Sequence, residues 1–145
     1  MLLHFYNNIR VSLCLVFLLS TFGLLAGCQK NQWGNIYLVE GTVTFDGAPA
    51  SRLEVTFIPE QGRPSVGATD ENGKFKMEYT IRQSGVQAGK STVTLAIPMG
   101  SQGQNEAAQK VAEIMKNRKE PYTVEITKKE KDLRLEFTSA DLAKE

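Results

Sequence analysis

The chain has 145 residues, with 17 Lys and Arg against 16 Asp and Glu, and a single His. That is one domain's worth of chain, and a net charge of +1 offers no basic surplus of the kind nucleic acid requires. His4 and Cys14 both fall within the first 27 residues, which read as a removable signal. Without that segment 118 residues remain, with no His, one Cys and 16 groups of each charge sign. Such a chain excludes His-dependent catalysis, a His/Cys zinc site and a disulfide framework.

Arg10 is the one charged side chain before an uncharged run from Val11 to Ala26. As a helix these sixteen residues rise about 24 Å, short of the roughly 30 Å hydrocarbon core. Length alone leaves open a signal core or a tight membrane anchor, and the residues that follow decide. Leu25-Ala26-Gly27-Cys28 resembles the lipobox of bacterial lipoproteins. The small Ala26 and Gly27 let an extended backbone enter a peptidase cleft, and Cys28 supplies a thiol for a diacylglyceryl group. The resemblance implies cleavage before Cys28, a lipidated residue 28 and a membrane partner. Gln29 stands where an Asp would signal inner-membrane retention, so the expected place is the outer membrane of a two-membraned envelope.

Residues 28–36 are polar and aperiodic and read as a tether. Trp33 within it has two open readings, a place in the headgroup layer or packing under the domain edge.

From Tyr37 the dominant period is two. Tyr37, Val39, Val43 and Phe45 form one apolar series; Leu53, Val55 and Phe57 form the next. Val66 with Ala68 makes a short third run, and Phe75, Met77, Tyr79 and Ile81 a fourth. Val93, Leu95 and Ile97 give the fifth. Gln104 to Asn117 then breaks the pattern. It places Ala108, Val111, Ala112 and Met115 at helical spacing, after a loose stretch from Met99 to Gly103. Tyr122, Val124 and Ile126, then Leu133, Leu135 and Phe137, close the series. Asp46-Gly47 and Asp70 with Asn72-Gly73 supply tight turns. Seven half-buried strands predict an all-β, antiparallel two-sheet sandwich over 37–139, with a helical insertion near 104–117 and a tail at 140–145.

Gly41, Val43, Asp46, Gly47 and Pro49 are spaced as in the opening of carboxypeptidase-regulatory-like (transthyretin-like) domains. Thr69, Asp70, Gly73 and Phe75 resemble the hairpin that leads into their fourth strand. The resemblance covers 37–98 well and 121–138 loosely, and implies a structural or binding module. A hydrolase of purine breakdown shares that scaffold but uses His, which the processed chain lacks.

Three look-alikes carry less. Gly89-Lys90-Ser91 resembles the end of a phosphate-binding loop, but residue 84 is Ser where Gly is needed and a strand follows. No nucleotide is expected. Asp70-Glu71-Asn72-Gly73 resembles part of a calcium loop without the further ligands an oxygen cage needs, so a turn and no metal are expected. The clusters Lys116 to Lys119 and Lys128 to Lys131 are diluted by Glu113, Glu120, Glu125 and Glu130 and read as solvated surface. The sequence therefore predicts a lipid-anchored, non-catalytic module of the cell envelope, without cofactor, serving display, adhesion or assembly. A carbohydrate-binding module and an accessory subunit of an envelope enzyme are the alternatives. The expected partner is an envelope protein or a glycan.

Overall fold

Alternation decides which side chains leave water. Val39, Val43, Val55, Phe57, Val93, Leu95, Leu135 and Phe137 are all buried, while the residues between them face outward or lie half-covered. Each such side chain contributes about 1.5–3 kcal/mol by leaving solvent. The computed structural model describes residues 34–142. Its strands are β1 (Ile36–Tyr37), β2 (Val39–Phe45), β3 (Ala48–Pro49), β4 (Glu54–Pro59), β5 (Ser65–Ala68) and β6 (Lys74–Lys76). They continue with β7 (Glu78–Thr80), β8 (Gln83–Ser84), β9 (Val86–Gln87), β10 (Gly89–Ala96), β11 (Thr123–Ile126) and β12 (Glu130–Phe137). Helix α1 (Glu106–Asn117) lies between β10 and β11, and a single helical turn, α2 (Ser139–Leu142), follows β12.

The arrangement is β-sandwich-like. One sheet runs β11-β10-β4-β5-β7-β8; the other runs β12-β2-β3, with β6 also on β2, and β1 pairs with β9. The antiparallel expectation fails at one pair: β12 runs parallel to β2, from Glu130 opposite Val39 to Phe137 opposite Phe45. A hairpin forces neighbours to be antiparallel, but these two strands are joined by most of the chain and are free of that constraint. The strand count differs too, because the expected 74–81 strand is two strands in two sheets. β6 pairs with β2 and β7 with β5. Buried Met77 makes the crossing, its N–H bonding Val39 O at 3.0 Å and its carbonyl accepting from Gly85 N at 2.7 Å. Alternation reads the same on both sides of such a crossing, so the period conceals it.

The third strand has the inverse phase, because β5 sets Ser65 opposite buried Phe57 and Gly67 opposite buried Val55. Ser65 is buried and Val66 is exposed, opposite to the expected phase. A Cβ on Gly67 would stand 2.6 Å from Lys76 O and 3.1 Å from Met77 Sδ. The inner face of β5 must be small where the chain passes over it. Ile81 and Ile97, expected inward, are exposed because each lies just past the end of its strand.

Helix α1 packs on β2, β3 and β10, so it fills the space between the sheets. Its buried face is Ala107, Ala108, Val111 and Ile114, rotated from the expected series so that Ile114 goes in and Met115 is half-covered. Asn105 caps it, with Glu106 in the first turn and Lys116 in the last, where the helix dipole favours them. The strands run between two ends. The chain enters at Asn35, beside Ala88, the start of β12 and the end of β11; this is the entry end. The loops at 46–53, 69–73 and 97–105 form the far end.

Candidate functional site

The lipobox residues Leu25, Ala26, Gly27 and Cys28, and Trp33, lie outside the described residues. The described chain takes up its first strand at Ile36, eight positions after Cys28.

The turn residues all sit at the far end. Asp46 adopts φ 47° and Gly47 φ 80°, closing β2 onto β3. Asp46 also reaches across the sequence: its carboxylate accepts from Ser139 N at 3.0 Å and from the Ser139 hydroxyl, tying the start of α2 to the β2–β3 turn. Asp70 Oδ1 accepts from Asn72 N at 2.8 Å and Lys74 N at 2.9 Å, and Gly73 follows at φ 72°. With its oxygen taken up by backbone donors, Asp70 organises a turn. Among the described residues no group of His, Cys, Asp or Glu could hold a metal ion. No described helix is long and apolar enough to cross a membrane.

Two side chains missed in the sequence hold the far end together. Asn105 Oδ1 accepts from Ala108 N at 2.9 Å and from Ser51 N at 3.3 Å, while its Nδ2 donates to Pro49 O at 2.6 Å. Arg52, at φ 59°, donates from Nη1 to Gln102 O at 3.1 Å and meets Glu71 at 3.7 Å. Within the stretch expected to be loose, Ser101 bonds Pro98 O and accepts from Gln104. A polar residue before a helix pattern was the available signal for Asn105; nothing in the sequence marks its two cross-chain bonds.

The outer face of β5 and β7 carries an open cleft of about 600 Å³, bordered by Glu54, Arg63, Val66, Glu78, Tyr79 and Ile81. Tyr79 was expected in the core, yet it lies outside the core cluster, half-buried on this cleft. Arg63 holds its guanidinium 5.7 Å from the centre of the Tyr79 ring. An aromatic face, two carboxylates and a guanidinium around a shallow cleft can engage a polar ring by stacking and hydrogen bonds. Tyr79 lies two residues past Met77, in a strand whose pairing with β8 is irregular between Glu78 and Thr80. A second cleft, about 570 Å³, lies over β2 and β6 and is bordered by Glu40, Asp70, Lys74, Lys76, Lys131 and Asp132. Its opposite charges alternate, with Lys76 and Glu40 3.9 Å apart, as on a solvated sheet face.

Among the described residues, Tyr122 is the ionisable group whose pKa is displaced upward. Burial raises it above 10.0, Arg118 opposes the shift and Asp141 adds to it. Its ring packs 5.7 Å from that of Phe137, with the Arg118 guanidinium 5.2 Å from its centre. Among the described residues, the buried side-chain oxygens Ser65 Oγ, Gln87 Oε1 and Ser91 Oγ have no hydrogen-bond partner.

No family model matches the chain, and neither a curated protein nor a solved structure matches it.

Proposed function

We propose that this protein is a lipid-anchored, non-enzymatic module of the cell envelope, built on a carboxypeptidase-regulatory-like β-sandwich. The observation that carries the reading is Leu25-Ala26-Gly27-Cys28 at the end of an uncharged run. The position of the first strand supports it, because Ile36 leaves room for a short polar tether after Cys28 and little else. Lipid chains on one residue contribute about 0.8 kcal/mol per buried CH₂, and two or more hold a protein at the bilayer stably. The module then displays its clefts and loops to an envelope protein or polymer. Growth with radiolabelled palmitate tests the anchor: the native chain takes up label and the Cys28→Ser variant takes up none. Equal labelling of the two, or no label on either, removes the reading.

One observation favours a second reading, carbohydrate binding. Tyr79 stands outside the core on a cleft with Glu54, Glu78 and Arg63. A glycan array that registers the native protein and loses signal with Tyr79→Ala supports it. An array without hits removes it.

A further inference from the structure

We propose that the entry end of the sandwich is a docking surface for anionic lipid headgroups, with Ile81 as its apolar contact and Arg82, Lys128 and Lys129 as its cations. The inference rests on lipid attachment at Cys28 and adds an orientation of the domain to it.

Strand directions place these residues at one end of the sandwich, the β7–β8 turn and the end of β11 standing at opposite edges of the six-stranded sheet. β7 runs towards the entry end, because it is antiparallel to β5, which starts there beside the end of β4. The β7–β8 turn therefore puts Ile81 and Arg82 at that end, and Thr80 Oγ1 accepts from Arg82 N at 3.3 Å within it. The turn between β11 and β12 carries Lys128 and Lys129. It lies beside the incoming chain: Ile126 pairs with Gly89, and Glu130 N bonds Leu38 O at 2.9 Å. Asn35 enters next to both, its carbonyl accepting from Ala88 N at 2.8 Å.

Three facts then point to a lipid surface. Ile81 is fully exposed, an unusual position for a large aliphatic side chain. Arg82, Lys128 and Lys129 form no ion pair among the described residues, although Glu60 and Glu130 share this end. Asn35 follows Cys28 by seven residues, which span at most about 25 Å when extended. So short a leash turns the entry end towards the bilayer, and any slack brings the cations within the roughly 8–10 Å over which headgroup charge is felt. The far end provides the contrast. Met99 is as exposed as Ile81, but the cation beside its loop, Arg52, is taken up by Gln102 O and Glu71.

The test uses the full-length protein carrying Ile81→Cys, or Met99→Cys as the far-end control, labelled with an environment-sensitive fluorophore. Each is reconstituted into vesicles of phosphatidylcholine alone or phosphatidylcholine with phosphatidylglycerol, and acrylamide quenching is measured. Mass spectrometry of the same samples reads the lipid on Cys28 separately. The expected result is quenching several-fold weaker at position 81 in the anionic vesicles than in the neutral ones, with no difference at position 99. The protection is expected to vanish when Lys128→Glu and Lys129→Glu are added. Equal quenching at 81 and 99 on a lipidated chain overturns the docking surface and leaves the anchor standing. Protection at 81 on a chain without lipid keeps the surface and removes the anchor; neither lipid nor protection overturns both.

Discussion

The two ends of this sandwich are built differently. At the far end side chains bond across the sequence: Asn105 to Pro49 and Ser51, Arg52 to Gln102, Asp46 to Ser139. At the entry end the links between distant segments are backbone pairs, Asn35 with Ala88 and Leu38 with Glu130, and the side chains of Ile81, Arg82, Lys128 and Lys129 are left to solvent. The far end also gathers acids, with Asp46, Asp70, Glu71 and Asp141 against Arg52 and Lys74. The side-chain links that join distant segments are thus gathered at one end, and cations unpaired among the described residues stand at the other.

Substitutions can break or sharpen this contrast. Ile114→Ala empties the place where α1 fills the gap between the sheets, and a loss of about 2–5 kcal/mol in urea unfolding is expected. Asn105→Ala removes the helix cap and two links between loops. We expect about 2 kcal/mol of destabilisation, with amide exchange accelerating first in residues 49–53 and 105–109. Ser91→Ala deletes a buried hydroxyl that has no partner, and stabilisation of about 1 kcal/mol is expected; a loss of that size would show that the hydroxyl is satisfied.

Tyr122 gives a pH test. Its folded pKa lies above the unfolded value of 10.0, so the folded state favours the protonated phenol. Its contribution is fully present below pH 10.0 and is lost as pH rises through the folded pKa. Thermal melts above pH 10 should therefore fall more steeply for the native protein than for Tyr122→Phe. The smallest effect belongs to the entry end. Lys128→Glu with Lys129→Glu should leave the melting curve within about 0.5 kcal/mol of native, because neither side chain is buried or paired.

Much of the inner face was legible in the sequence. Val39, Val43, Leu53, Val55, Phe57, Val93, Leu95, Leu135 and Phe137 alternate in the sequence and are buried in the fold. What alternation cannot express is the sheet to which a strand belongs. The crossing at Met77 was invisible for that reason, and alternation alone did not foretell that Tyr79 would be half-buried at a cleft. Ser65 and Gly67 were the available signal, since two small residues in an apolar series mark a close backbone approach. The helix was legible as an amphipathic segment, but its exact face depended on wedging between two sheets, which brought in Ile114 and Ala107. The cap at Asn105 reached Pro49 and Ser51, more than fifty residues away, and local patterning carries no such reach.

The parallel pairing of β12 with β2 has a kinetic meaning. The final strand of the sandwich completes the sheet begun by one of the first, so an edge of β2 has no partner until residues 130–137 are available. Contacts between such distant segments form late and slowly. A nascent chain emerging N-terminus first cannot complete this sheet until residues 130–137 have been made, so β2 keeps one edge open while the hairpins between them form.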